Sequence, residues 1–412
     1  MILRSLFAAL PVALVVALCA APRAARADGP GIAIGEDGRL HFFFESELRW
    51  DSLAGQGGIG QVGVPVEDPA DFILHIRPGA RFVEQGTTVQ FTGTANIDYV
   101  DYTGWLAPTH DLSYLGANVQ AALDVAKTGQ VGLGVVENFS RSDHTSNPSL
   151  GIGSITDSND IGARLAFRPG GGAIEAGLAY NFGVEAYELH AQGAFACNDP
   201  SCNGSDFGNF DSQTHRFAVD ARWRFFPKTA IVFDSSFSIR HYGDDADNVS
   251  TMPFVVEAGL AGLLTEKIRV VVKAGYSNTF AAVGDNFSQP IGQVEFGWDP
   301  SETASITLGG ARAAQPVSGS YGWYDDFRGY LNGRLQLFGR LQLTLTGNLD
   351  FINFANSDRQ DTQAQAEAQA SVEIFRMLHT AVGTVLTTRN SSLGGVFTYN
   401  RAEIYFRVNF TY

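Results

Sequence analysis

Residues 401–412, RAEIYFRVNFTY, decide the fold. The odd positions are Arg401, Glu403, Tyr405, Arg407, Asn409 and Thr411. The even positions are Ala402, Ile404, Phe406, Val408, Phe410 and Tyr412. One set is polar and the other apolar throughout. A strand sends alternate side chains to opposite sides, so this period of two predicts a strand whose faces meet two different environments. The edge of a soluble sheet satisfies the same alternation, but here the run stops on an apolar-side aromatic, Tyr412.

The pattern recurs along the chain. Period-two runs predict strands over 40–50, 71–84, 87–99, 112–125, 129–141, 158–168, 172–185, 212–226, 228–241, 252–264, 266–280, 289–299, 302–313, 324–337, 340–354, 361–375, 377–389 and 399–412, eighteen in all. In 361–375, Gln363, Gln365, Glu367, Gln369, Ser371 and Glu373 alternate with Ala364, Ala366, Ala368, Ala370, Val372 and Ile374. In 129–141, Glu137 falls on the apolar side unless a bulge intervenes. The connections sort into two kinds in strict alternation, nine longer loops and eight tight turns. Short connections at one end and long ones at the other belong to antiparallel up-and-down transmembrane barrels, whose turns face the periplasm; an even strand count then leaves both termini there. The seam would pair the last strand with the first, setting Arg401, Glu403 and Arg407 beside Glu45, Glu47 and Arg49.

Bulk properties bound the rest. Residues 1–27 have Arg4, an apolar stretch over 6–21 and an Ala25-Arg26-Ala27 cleavage site, the pattern of a secretory signal peptide. Leu18 is too large to precede a lipidated Cys19. The leader carries three arginines and no acids, which leaves a formal charge of −18 on the remaining 385 residues. A polyanion binder working through overall charge is excluded, and nucleic acid with it. No other apolar run approaches the roughly 18–20 residues of a helical span, so any membrane crossing is made by strands. Residues 28–39 form a short acidic leader, and 40–412 the barrel. Cys197 and Cys202, in CNDPSCNGSD, predict a loop disulfide, since a zinc site lacks further ligands there.

Eighteen strands enclose more space than their own side chains fill, so the interior is an aqueous channel unless plugged. The polar face then lines the lumen with Arg77, Arg81, Arg164, Arg168, Arg216, Arg222, Arg224, Arg240, Arg269, Lys273, Arg328, Arg334, Arg401 and Arg407. Glu45, Glu47, Asp98, Glu175, Asp220, Asp234, Glu257, Glu295, Glu367, Glu373 and Glu403 share that face. The densest basic ladder is 216–224. Two roles stand open for these arginines: guiding an anionic sugar or carboxylate, or pairing across strands to brace the wall. Trp50, Tyr99, Phe280, Trp298, Phe338, Phe354 and Phe375 fall near strand ends, as interfacial girdles would.

Enzymatic chemistry finds no foothold. The GQGGIG of 55–60 opens no helix, the histidines lack ligand spacing, and Asp244, Asp245 and Asp247 do not fit a calcium-loop pattern. Neither metal nor cofactor is expected.

The last strand resembles the closing strand of bacterial outer-membrane barrels, whose assembly machinery reads a terminal aromatic; Phe410 and Tyr412 occupy those positions, with Tyr in place of the commoner Phe. The whole chain resembles outer-membrane β-barrel channels and, more narrowly, the β-barrel porins associated with exopolysaccharide export. That resemblance implies lipid and lipopolysaccharide around the barrel, the assembly machinery, and a periplasmic polysaccharide export protein as partners. The other readings are a general or anion-preferring passive porin and a structural barrel or adhesin. Tyr412 deletion is expected to impair assembly, and Arg407→Gln to leave assembly intact and alter only the channel.

Overall fold

The structure is a computed structural model describing residues 31–54, 70–107, 109–143, 154–189, 211–243, 250–282, 284, 286–317, 322–394 and 397–412. The expected signal peptide, the 55–60 loop, Cys197, Cys202, Asp244, Asp245 and Asp247 lie outside the described residues.

A short β1 (Ile32–Ile34) precedes eighteen long strands. They are β2 (Gly38–Asp51), β3 (Asp71–Gln85), β4 (Val89–Tyr102), β5 (Tyr114–Val125), β6 (Val131–Ser142), β7 (Ser154–Phe167), β8 (Ile174–Leu189), β9 (Ser212–Phe226) and β10 (Thr229–Tyr242). The series continues with β11 (Phe254–Leu263), β12 (Ile268–Asn278), β13 (Ser288–Ser301), β14 (Ala304–Pro316), β15 (Trp323–Leu337), β16 (Leu341–Phe354), β17 (Gln360–Phe375), β18 (Leu378–Ser391) and β19 (Tyr399–Thr411). Each pairs antiparallel with its chain neighbours, and β19 pairs with β2, so β2–β19 form a closed eighteen-strand barrel with no free long edge. Connections at one end span 5 to 22 residues and those at the other 2 to 6, so the expected alternation holds in general but not strictly: 168–173 at the short end is longer than 355–359 at the long one.

Cross-strand partners share a face, so the registers carry one face around the ring. From Glu47, opposite Arg407 on β19 and His75 on β3, the inner face runs through every strand. The other face is apolar and open: Ile97 is 51% exposed, Leu178 58%, Leu308 56% and Phe406 53%. Leaving a large aliphatic or aromatic side chain in water forgoes about 1.5–3 kcal/mol, and soluble monomers rarely expose contiguous apolar patches above a few hundred Å². An apolar belt on nearly every strand fits lipid and not water.

Two details differ from the sequence reading, and one alternative it left open is settled. β6 has no bulge: Glu137 stands opposite Ala121 and Ile161 in unbroken register, on the outer face, hydrogen-bonded to Asn159. Phe354 belongs to no girdle, being 4% exposed with the Arg359 guanidinium 4.1 Å above its ring. Finally, residues from Ile32 onward already join the sheet. β1 pairs with the first residues of β2, Ile32 opposite Leu40, just beyond the point where the Tyr412 N–H donates to the Phe42 carbonyl at 2.8 Å. β1 therefore covers the stretch of β2 edge that β19 is too short to reach.

Candidate functional site: the inner wall

The alternation that makes each strand also decides what faces inward, and the inner face is charged. All eleven arginines expected to line it, Arg77, Arg81, Arg164, Arg216, Arg222, Arg224, Arg240, Arg269, Arg328, Arg334 and Arg407, lie on the face that carries Glu47. What separates them is the company they keep.

Around the seam the charges are tied together. Glu47, fully buried, accepts from Arg49 at 2.7 Å and from Arg407 at 2.5 Å. Arg49 also donates to Glu403 at 2.8 Å, and Arg401 to the buried Asp51 at 2.6 Å. Arg77 bridges Glu45 at 2.7 Å and Asp98 at 2.8 Å, and His75 Nδ1 lies 3.1 Å from Asp98. The expected pairing of charges across the β19–β2 seam is therefore present, and it is extended by Asp51, which continues the odd series 45, 47, 49 but sits at the strand end where it reads as loop. Arg407 is committed to a buried carboxylate, so its removal reaches the structure of the seam as well as the channel.

Two inward tyrosines take part. Tyr405 lies across Gly383, where any Cβ would overlap its ring, and its hydroxyl donates to Glu367 at 2.7 Å. Tyr330 lies across Gly309 in the same manner and donates to Glu295 at 2.8 Å. The glycine gives the ring a flat bed and the ring covers backbone that the glycine leaves bare. Sequence reading placed Tyr405 on the polar face without foreseeing this contact.

Farther round, pairing continues. Arg164 meets Asp220 at 2.6 Å, Lys273 meets Asp234 at 2.7 Å, Arg328 meets Asp350 at 2.5 Å, and Arg240 pairs with Glu185. Arg269 has its carboxylates farther off, 3.9 Å to Glu295 and 3.7 Å to Asp299, and donates to the Thr307 hydroxyl at 2.7 Å. Five arginines behave differently. Arg81, Arg216, Arg222, Arg224 and Arg334 are exposed on the inner face, and among the described residues none has a carboxylate within 4.0 Å. Arg216 donates to the Ser236 hydroxyl at 3.5 Å.

At the long-loop end, the connection after β4 is clamped by one carboxylate. Buried Asp71 accepts from the Gly104 N–H at 2.7 Å, the Leu106 N–H at 3.1 Å and the hydroxyls of Thr103 and Thr109. Leu112 then packs with the inward-facing Ile73, Val100 and Tyr102, so part of this loop sits inside the mouth. Elsewhere on the inner wall, a recess of about 690 Å³ touches β7–β11, β13 and β14 and is lined by Asp160, Glu185, Arg216, Arg240, Glu257 and Gln293 among others. Such a lining hydrates readily and offers donors and acceptors of both signs.

No protein-family model and no curated protein matches the chain significantly. Solved structures similar to it include Acinetobacter baumannii OccAB3, 9% identical over 91% of this chain and 99% of that one at a TM-score of 0.47. Pseudomonas aeruginosa OpdQ is 9% identical over 91% and 98% at 0.49, and the siderophore receptor PirA of Acinetobacter baumannii 7% identical over 90% and 80% at 0.49. Likeness at that level is weaker ground than the chain's own strands, registers and side chains.

Proposed function

We propose that the chain is an outer-membrane β-barrel channel that passes small hydrophilic solutes passively. The observation that carries this reading is the sorting of its wall: a predominantly apolar face outside, interrupted by Glu137 and by the Arg141–Asp157 and Arg312–Asp325 pairs, and a predominantly polar and charged face inside. A charge at the lipid midplane costs about 2–4 kcal/mol, whereas a wetted lumen accepts it, so the two faces suit lipid and water. An eighteen-strand wall is too wide for its own side chains to fill. On this reading the tight turns and both termini face the periplasm, lipid and lipopolysaccharide surround the belt, and the assembly machinery reads Phe410 and Tyr412. We read the lumen as a path for transport and not as a site of catalysis.

The test is conductance. Protein refolded in detergent, its fold checked by a heat-dependent shift in gel mobility, is added to a planar lipid bilayer. Discrete conductance steps, and swelling of sugar-loaded proteoliposomes, are expected; a folded, heat-modifiable protein that gives neither refutes the channel. The second reading, export of an exopolysaccharide, has in its favour the inner-face arginines that lack carboxylate partners. A deletion strain with unchanged surface polymer would sink that reading and leave the passive channel standing.

A further inference from the structure

Of the five free arginines, Arg216 stands toward the long-loop end of β9, and the other four gather at the opposite end. Arg81 lies four residues from the end of β3, Arg222 and Arg224 four and two from the end of β9, and Arg334 three from the end of β15, all at the tight-turn end. β3, β9 and β15 are each six strands apart in a ring of eighteen, which divides the mouth into thirds. Their cross-strand neighbours leave them free. Arg81 stands between His41 and Thr94, Arg334 between Ser305 and Thr344, and Arg224 beside Ala230. Arg222 stands opposite Glu175, but that carboxylate is already shared by Arg164 at 3.4 Å and Arg168 at 3.3 Å.

The connections polarise the molecule in the same sense. The eight tight turns carry six basic residues, Lys127, Arg168, Lys228, Lys267, Arg340 and Arg376, and two acids, Glu266 and Glu302. The nine long connections carry twelve Asp or Glu against a single Lys or Arg, Arg359. With Glu36 and Asp37 of the β1–β2 turn added, the turn-side connections hold six basic residues against four acids, so one mouth is strongly acidic and the other slightly basic, with unpaired guanidiniums just inside the latter.

We propose that the turn-side mouth is a docking ring for extended polyanions, formed by Arg81, Arg222, Arg224 and Arg334, so that such anions engage the barrel from that side only. The inference rests on the channel reading. Strands about 4.8 Å apart and tilted about 40° give an eighteen-strand ring a radius of roughly 18 Å, which leaves guanidiniums on different thirds roughly 20 Å apart. Screening at physiological salt has a length of about 8 Å, so a small dianion feels one third of the ring at a time. A polymer with carboxylate, sulfate or phosphate groups along its length reaches two or three thirds at once, and multivalent attachment strengthens its hold without new contacts.

The experiment uses single channels in planar bilayers at about 0.15 M salt, with orientation scored by a tag in the 317–322 connection. Dextran sulfate, long-chain polyphosphate, citrate and neutral dextran are added in turn to each side. Expected is block by both polyanions from the turn side, with weak block from the loop side and little from citrate or neutral dextran. The variant carrying Arg81→Gln, Arg222→Gln, Arg224→Gln and Arg334→Gln should still open discrete channels, with selectivity moved toward cations, and need about tenfold or more polyanion for the same fractional block of its own open current. Equal block from both sides, or stronger block from the loop side, overturns the ring. Unchanged block in the variant removes these four residues from it. Because the sidedness is measured on the wild-type chain, the inference stands exposed even if the variant folds poorly. Absence of any conductance would instead fell the channel reading itself.

Discussion

Arg407 and Arg222 occupy the same inner face of one sheet, eight strands apart, and differ in whether a carboxylate meets them. At the β19–β2 seam every charge is spoken for, and the carboxylates at its centre, Glu47 and Asp51, are fully buried. On β9 the guanidiniums stand in the open. Buried, mutually satisfied charges are hard to remove one at a time and do little for a passing solute. Exposed, unmatched charges add little stability and set the field that a solute meets. The barrel separates the two tasks by position.

The widest gap should appear at Glu47. Glu47→Ala leaves Arg49 and Arg407 facing each other without their shared acceptor, and is expected to cost about 3–5 kcal/mol, read as a lowered urea midpoint of the barrel in lipid vesicles. A loss below about 1 kcal/mol would mean that the seam network is not a brace. Arg407→Gln should cost less, about 1–3 kcal/mol, because Glu47 keeps Arg49.

Gly383→Val tests the other element of that wall. The new side chain would displace the Tyr405 ring, for an expected loss of about 1–3 kcal/mol. Combined with Tyr405→Ala, the two losses should sum to less than their parts, since both remove one contact. Tyr405→Phe alone, which deprives Glu367 of its donor, should cost about 1 kcal/mol. Additive losses would show that the ring and the glycine do not support each other.

The smallest stability effect is expected on β9. Arg222→Gln should fold within about 0.5 kcal/mol of wild type. The same change should move the zero-current potential in a salt gradient toward cations. If instead it destabilised the barrel as Glu47→Ala does, the distinction between the two walls would fail.

The strands were legible because a two-sided wall is written in the sequence residue by residue. β17 spells it with alanines against glutamines, and β19 with Ile404, Phe406 and Val408 against Glu403, Tyr405 and Arg407. The seam was legible too, since closing the ring fixes which strands meet. Which arginines are free was not. Arg164 finds Asp220 two strands and 56 residues away, a pairing set by register and rotamer that no local pattern records. Phe354 reads like any strand-end aromatic until Arg359 folds back onto it from the loop. Glu137 breaks the alternation without breaking the strand, because Asn159 on the neighbouring strand gives it a partner.

The central claim is that one face of every strand meets water and the other lipid, and β17 offers its most direct test. With the native cysteines replaced by serine, single cysteines are placed in turn at residues 363–373, and the protein is reconstituted in lipid vesicles and treated with a hydrophilic, membrane-impermeant thiol reagent. The account predicts labelling at 363, 365, 367, 369, 371 and 373 and protection at 364, 366, 368, 370 and 372. Uniform labelling along the strand, or protection of the odd positions, would contradict it.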